Sequence, residues 1–164
     1  MEASQITLVV SSVTALIGIA GFVVGYSQMK IASAKVKLDL YSKRFNIYLA
    51  TLEYYQSVYE KTQEGMKEKA VNFIKSYRES LFLFDVRGGI HETLGRIKDS
   101  GAIISAYKEA KSDENWPLHY DKKGMSMLHE KSVEAYAKFE ADLLLLEKQM
   151  ARYINFRAVS GWTF

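Results

Sequence analysis

From residue 6 to residue 29 the chain runs without a charged side chain, and Lys30 then opens a stretch dense in lysine. At a rise of about 1.5 Å per residue a helix of this length reaches roughly 36 Å, enough to cross a hydrocarbon core of about 30 Å. The pattern predicts a membrane-spanning helix over 6–29, with a short external N-terminus (1–5) before it and a separate domain (30–164) after it. A cleaved secretory signal fits the residues less well. Such a signal starts with basic residues and has an apolar core of about 7–15 residues. Here the only charge ahead of the run is Glu2, and Lys30, Lys35 and Lys37 crowd the small-residue site Ala32-Ser33-Ala34. The span is therefore read as a retained signal-anchor.

Charge asymmetry sets the expected orientation, because Lys and Arg beside a span stay on the cytoplasmic side. Lys30, Lys35, Lys37, Lys43 and Arg44 follow the span against Asp39 alone, so the N-terminus is expected outside and the C-terminal domain in the cytoplasm. The absence of cysteine agrees with a reducing compartment. The formal net charge is +3, with the cations gathered next to the span rather than spread into a stripe. Lys30, Lys35, Lys37, Lys43 and Arg44 are thus assigned to contact with the anionic head groups of the lipid bilayer. No nucleic-acid module is present, and nucleic acid is not an expected partner.

Small and polar residues in the span fall in register. Ser4, Thr7, Ser11, Thr14, Gly18, Gly21, Gly25 and Gln28 follow one another at alternating spacings of 3 and 4, the seven-residue repeat of a left-handed helix seam. Helices in lipid associate where small residues let backbones approach, and Gly21-x-x-x-Gly25 is a short instance of that device. Thr7, Ser11, Thr14, Gly18, Gly21 and Gly25 are read as an association face, for copies of this chain or for another membrane protein.

Four helices are expected in the domain, over 30–64, 67–84, 90–111 and 125–157, with residues 112–124 as a loop around the lone proline. Their apolar seams are Leu38, Tyr41, Phe45, Tyr48, Leu52, Tyr55 and Tyr59; Ala70, Ile74, Tyr77, Leu81 and Phe84; Ile90, Leu94, Ile97, Gly101, Ile104 and Tyr107; and Tyr136, Phe139, Leu143, Leu146, Met150 and Tyr153. Asp85-Val86-Arg87-Gly88-Gly89 turns the chain between the second and third. Amphipathic helices with short connections predict an all-α fold: an N-terminal transmembrane helix followed by an antiparallel four-helix bundle. The aromatic tail Val159-Ser160-Gly161-Trp162-Thr163-Phe164 is expected to dock on that bundle, since an exposed Trp and Phe invite aggregation.

The segment Lys35-Val36-Lys37-Leu38-Asp39-Leu40-Tyr41-Ser42-Lys43-Arg44-Phe45-Asn46-Ile47-Tyr48 resembles the juxtamembrane signature of a loosely defined group of small bacterial single-span proteins. In that group a K-x-x-L-D-L-(Y/F)-x-x-R-F-x-(V/I)-Y stretch follows an N-terminal span and leads into a helical cytosolic domain. Leu81-Phe82-Leu83-Phe84 and Arg152-Tyr153-Ile154 are similar as well. The resemblance implies a bacterial inner membrane and carries no activity with it.

Residues for chemistry are sparse. His91, His119 and His129 sit on separate segments without metal-ligand spacing, and no phosphate-binding loop or nucleophile elbow is present, so no metal, cofactor or catalytic residue is assigned. Gly88-Gly89 reads as helix punctuation rather than a phosphate cradle. The expected function is that of a non-enzymatic anchored interaction protein. Its span would oligomerise or bind a membrane partner, and its bundle would recruit or sense a cytosolic protein partner. The alternative is a membrane-perturbing, pore-forming or toxin-like effector, for example of a bacterial defence system.

Overall fold

The computed structural model describes residues 3–60, 63–112 and 122–154. The fold is all-α, with no strand among the described residues. Helix α1 runs over Ala3–Ser57, α2 over Gln63–Leu83, α3 over Ile90–Ser112 and α4 over Lys122–Ile154, with a single 3-10 turn at Val86–Gly88. The chain divides into two compact units, Met1–Asp39 and Leu40–Phe164. The tail at 159–164, His119 and most of the 112–124 loop lie outside the described residues.

The first unit holds the apolar half of α1. This is the one described helix long and apolar enough to cross a membrane, and none of its apolar window is buried in the protein. The core helix of a soluble domain would be buried. Here Leu16, Ile17, Phe22 and Val24 are all more than half exposed, on every side of the helix. At the end of the run the Lys30 ammonium folds back over the Tyr26 ring, 4.9 Å from its centroid. Tyrosine and lysine at this point are the side chains that favour a membrane–water boundary.

The second unit is the helical bundle, and its cross-helix contacts define the topology. Tyr48 bonds Glu147, Tyr55 packs edge-on against Phe139, and Tyr59 meets Tyr136, so the later half of α1 runs antiparallel to α4. Arg44 reaches Leu83 while Glu53 pairs with Lys69, which sets α2 antiparallel to α1. His91 stacks on Tyr77 and Glu109 pairs with Lys67 between α2 and α3. Arg96 pairs with Asp142 and Tyr107 meets His129 between α3 and α4. The order is up-down-up-down.

Side-chain burial follows the expected seams on α3 and α4. Ile90, Leu94, Ile97 and Ile104 of α3 and Phe139, Leu143, Leu146 and Met150 of α4 lie in the core. The α1 seam is rotated from the expected one: Ile47, Thr51, Tyr54 and Val58 are buried, whereas Phe45, Tyr48, Leu52 and Tyr55 sit at the core's edge and Tyr59 is exposed. Side-chain polarity fits part of the rotation. Thr51 enters the core at no polar cost because its hydroxyl donates to the Ile47 carbonyl at 2.8 Å, and at the rim the Tyr48 hydroxyl donates to Glu147 while that of Tyr55 accepts from Tyr59. On α2, Phe73 and Met66 take the centre and Leu81 is turned out, 54% exposed.

Helix α1 ends at Ser57 rather than continuing to residue 64, and the carbonyls just past its end are held by distant side chains. The Tyr136 hydroxyl donates to the Val58 carbonyl at 3.1 Å, and the Lys108 ammonium donates to that of Glu60 at 2.8 Å. Gly95 and Gly101 leave α3 unbroken. Gly101 is there for space: a Cβ at this position would collide with the Tyr54 hydroxyl, which crosses the core from α1.

Burial also pushes Tyr54 up to about 12 from its ordinary 10.0. A tyrosine whose ionisation folding opposes contributes fully below pH 10, and the contribution is lost as pH rises toward 12, because the unfolded chain deprotonates first. The bundle is expected to lose about 2–3 kcal/mol across that interval. Denaturant midpoints at pH 9, 10, 11 and 12 check this, and Tyr54→Phe should flatten the decline.

Candidate functional site

The small-residue face of α1 is the first candidate. Gly18, Gly21 and Gly25 each have open space where a side chain would stand, with no protein atom within 4 Å of an added Cβ. A second helix can therefore bring its backbone close along this stripe, and the seven-residue repeat favours a left-handed crossing of about 20°. Thr14 lies on the same face, and its hydroxyl donates to the Val10 carbonyl at 2.9 Å. Off the face, Ser12 does the same to Leu8 at 2.8 Å. Both hydroxyls thus satisfy their protons within the helix, as a helix in lipid requires.

The second candidate is the end of the bundle where α1 enters it. Arg44 was assigned to lipid from sequence, yet the structure turns it inward. Its Nε donates to the Leu83 carbonyl at 2.9 Å, capping α2, and its guanidinium lies 5.7 Å from the Phe84 ring centroid and 4.8 Å from that of Tyr153. One arginine thereby ties α1, α2 and α4 together. Lys30, Lys35, Lys37 and Lys43 keep exposed side chains. Arg44→Met is expected to destabilise the bundle by about 1–3 kcal/mol, from a lost charged hydrogen bond and ring contacts. Lys37→Met should shift stability by less than about 0.5 kcal/mol. Urea titration of both variants reads the difference.

The turn between α2 and α3 is built tightly. Asp85 caps the 3-10 turn, its carboxylate accepting from the Arg87 N–H, and Gly89 takes the left-handed conformation at φ 66°. The Gly88 and Gly89 N–H groups donate to the Asp85 and Val86 carbonyls. Committed within the turn, they leave no cradle for a phosphate, and an added Cβ at Gly88 would run into the Arg152 guanidinium.

A serine–histidine pair escaped the sequence reading. The Ser80 hydroxyl donates to the Tyr77 carbonyl at 2.6 Å and lies 2.9 Å from His91 Nδ1, whose ring stacks on Tyr77 with centroids 4.5 Å apart. Ser80 is fully buried, so no substrate reaches it, and its proton is already committed. The pair is a strut between α2 and α3. Only the eleven-residue spacing across a turn hinted at it.

Two shallow clefts lie on the bundle among the described residues. One, about 480 Å³, is lined by Tyr48, Glu147, Ala151 and Ile154. Its two polar groups bond each other at 3.0 Å, and burial, with Glu147 adding to it, raises the Tyr48 hydroxyl above its ordinary range. The other, about 500 Å³, includes Tyr59, Lys108, Lys111 and Tyr136. Burial lowers Lys108, whose ammonium is engaged by the Glu60 carbonyl. Among the described residues no three His, Cys, Asp or Glu side chains gather into a metal site. Comparison with models of protein families, with curated proteins and with solved structures finds no match.

Proposed function

We propose that this chain is a single-span membrane-anchored interaction protein. The apolar half of α1 holds it in a bilayer and joins it to a second copy through Thr7, Ser11, Thr14, Gly18, Gly21 and Gly25, while the bundle offers a surface to a cytosolic protein partner. The observation that carries this reading is an apolar helix with no burial anywhere along its window and three in-register glycines with open space above them. Water would tolerate neither feature well, whereas lipid and a neighbouring helix satisfy both. The lysine-rich flank supports a cytoplasmic domain and an outside N-terminus. The likeness of residues 35–48 to the bacterial juxtamembrane signature supports an inner-membrane setting.

The test is co-purification of two differently tagged full-length copies from solubilised bacterial membranes, with membrane potential followed during induced expression. The reading predicts that the tags co-purify and the potential holds. Chains that stay monomeric contradict it. Co-purification with depolarisation favours the membrane-perturbing alternative.

A further inference from the structure

The two most exposed large apolar side chains of the bundle, Phe82 at 88% and Val86 at 80%, flank the buried Phe84 in sequence where α2 gives way to the 3-10 turn. The junction is held firmly. Asp85 caps the turn, Gly89 closes it, and Arg44 pins the end of α2 through the Leu83 carbonyl. A fixed turn that displays a phenylalanine and a valine to water has the composition of a contact surface.

The nearest source of apolar cover is the chain itself. Helix α4 finishes at Ile154, and its last turn already lies against this junction. The Tyr153 ring meets Phe84 edge-on with centroids 5.2 Å apart, and the side chains of Arg152 and Tyr153 stand beside Gly88. Phe84 is two residues from Phe82 and two from Val86, a step of about 7 Å at most. From Ile154 the sequence continues through ten residues, 155–164, which when extended span about 33 Å, ample to bring side chains over both. These residues carry Phe156, Val159, Trp162 and Phe164 against one charge, Arg157, and Ser160-Gly161 offers a bend among them. A segment tethered this closely acts at an effective concentration on the order of mM, above that of a separate partner at micromolar levels. Every residue in the comparison belongs to the Leu40–Phe164 unit, so the position of the span does not enter.

We infer that residues 155–164 of the same chain cover this turn, with Trp162 against Phe82 and Val86. The patch is then closed within the chain, and a partner that binds either surface must first separate the two.

The full-length chain in nonionic detergent micelles provides the test. Trp116→Phe leaves Trp162 as the only tryptophan. Its emission is expected to the blue of that of free tryptophan, with protection from acrylamide. Adding Phe82→Ser and Val86→Ser should shift the emission to the red and remove the protection. Val71→Ser, at an exposed site about 18 Å along α2 from Leu83, should change neither. Circular dichroism confirms that each variant keeps its helix content. The sequence has no cysteine, so introduced pairs report contact cleanly. Arg87→Cys with Thr163→Cys should be joined by a short thiol crosslinker within a single chain, and Val71→Cys with Thr163→Cys should not; mixing differently tagged copies shows whether a link lies within or between chains. A Trp162 as open to acrylamide as free tryptophan, with no crosslink between 87 and 163, overturns the inference. A protected Trp162 that ignores the changes at 82 and 86 has docked elsewhere, and a crosslink found only between tagged copies gives the patch to a second chain. Each of these overturns it also. Neither readout depends on the span, so such a failure leaves the anchor reading standing.

Discussion

Leucine at both Gly21 and Gly25 is expected to lower co-purification of the two tagged copies by about tenfold or more, a change of at least ~1.4 kcal/mol in association. Each leucine fills open space on the face where a neighbour's backbone would come. Helix strength moves the opposite way, since leucine exceeds glycine in intrinsic helix propensity by up to about 1 kcal/mol per site. Weaker association thus cannot come from a weaker helix. Leu16→Ala, on the far side of α1, serves as the control and should leave the tagged copies together. Equal co-purification by the double-leucine form would mean that copies meet elsewhere.

The largest effect on folding is expected at Phe139. Its side chain is wholly buried, tilted against Tyr54 with centroids 5.5 Å apart and edge-on to Tyr55 at 5.3 Å, so it joins α4 to the last turn of α1. Tyr54 in turn stacks on Phe73 of α2 at 4.8 Å. Truncation to alanine opens a cavity among rings too rigid to collapse into it, at a cost of about 3–5 kcal/mol. Against a typical stability of about 5–15 kcal/mol this removes a large share, and a urea titration of Phe139→Ala should show it. A change below about 1 kcal/mol would place the core elsewhere. The companion site is Gly101, where alanine should cost about 1–3 kcal/mol by pressing on the Tyr54 hydroxyl. Tyr54→Phe, which removes that hydroxyl, should recover part of the loss.

The helix class and the α3 and α4 core faces were legible from residue order because isoleucine, leucine and phenylalanine recur there at helical spacing with nothing polar competing. The face of α1 was harder to read. A pattern that weights ring size selects Phe45, Tyr48, Leu52 and Tyr55, but the core takes Ile47, Thr51, Tyr54 and Val58, and a threonine bonded to its own helix looks polar in sequence while packing as an apolar group. Just past the end of α1 the chain is held by Lys108 and Tyr136, about 50 and 78 residues further along, and no local signal carries such information. Arg44 is the clearest case among the site residues. Beside Lys43 it reads as one more cation for lipid, and only the arrival of Leu83, Phe84 and Tyr153 shows that its guanidinium caps a helix and faces two rings. That Gly18, Gly21 and Gly25 share one open face of α1 was legible, by contrast, because periodicity alone defines a helix face.

The most direct test of the central claim is flotation of bacterial membranes on a density gradient after an alkaline carbonate wash, with the full-length chain followed by its tag. A helix crossing the bilayer through residues 6–29 keeps the chain with the floating lipid. Recovery in the soluble fraction without detergent, or of a form trimmed after Ala34, would contradict the account.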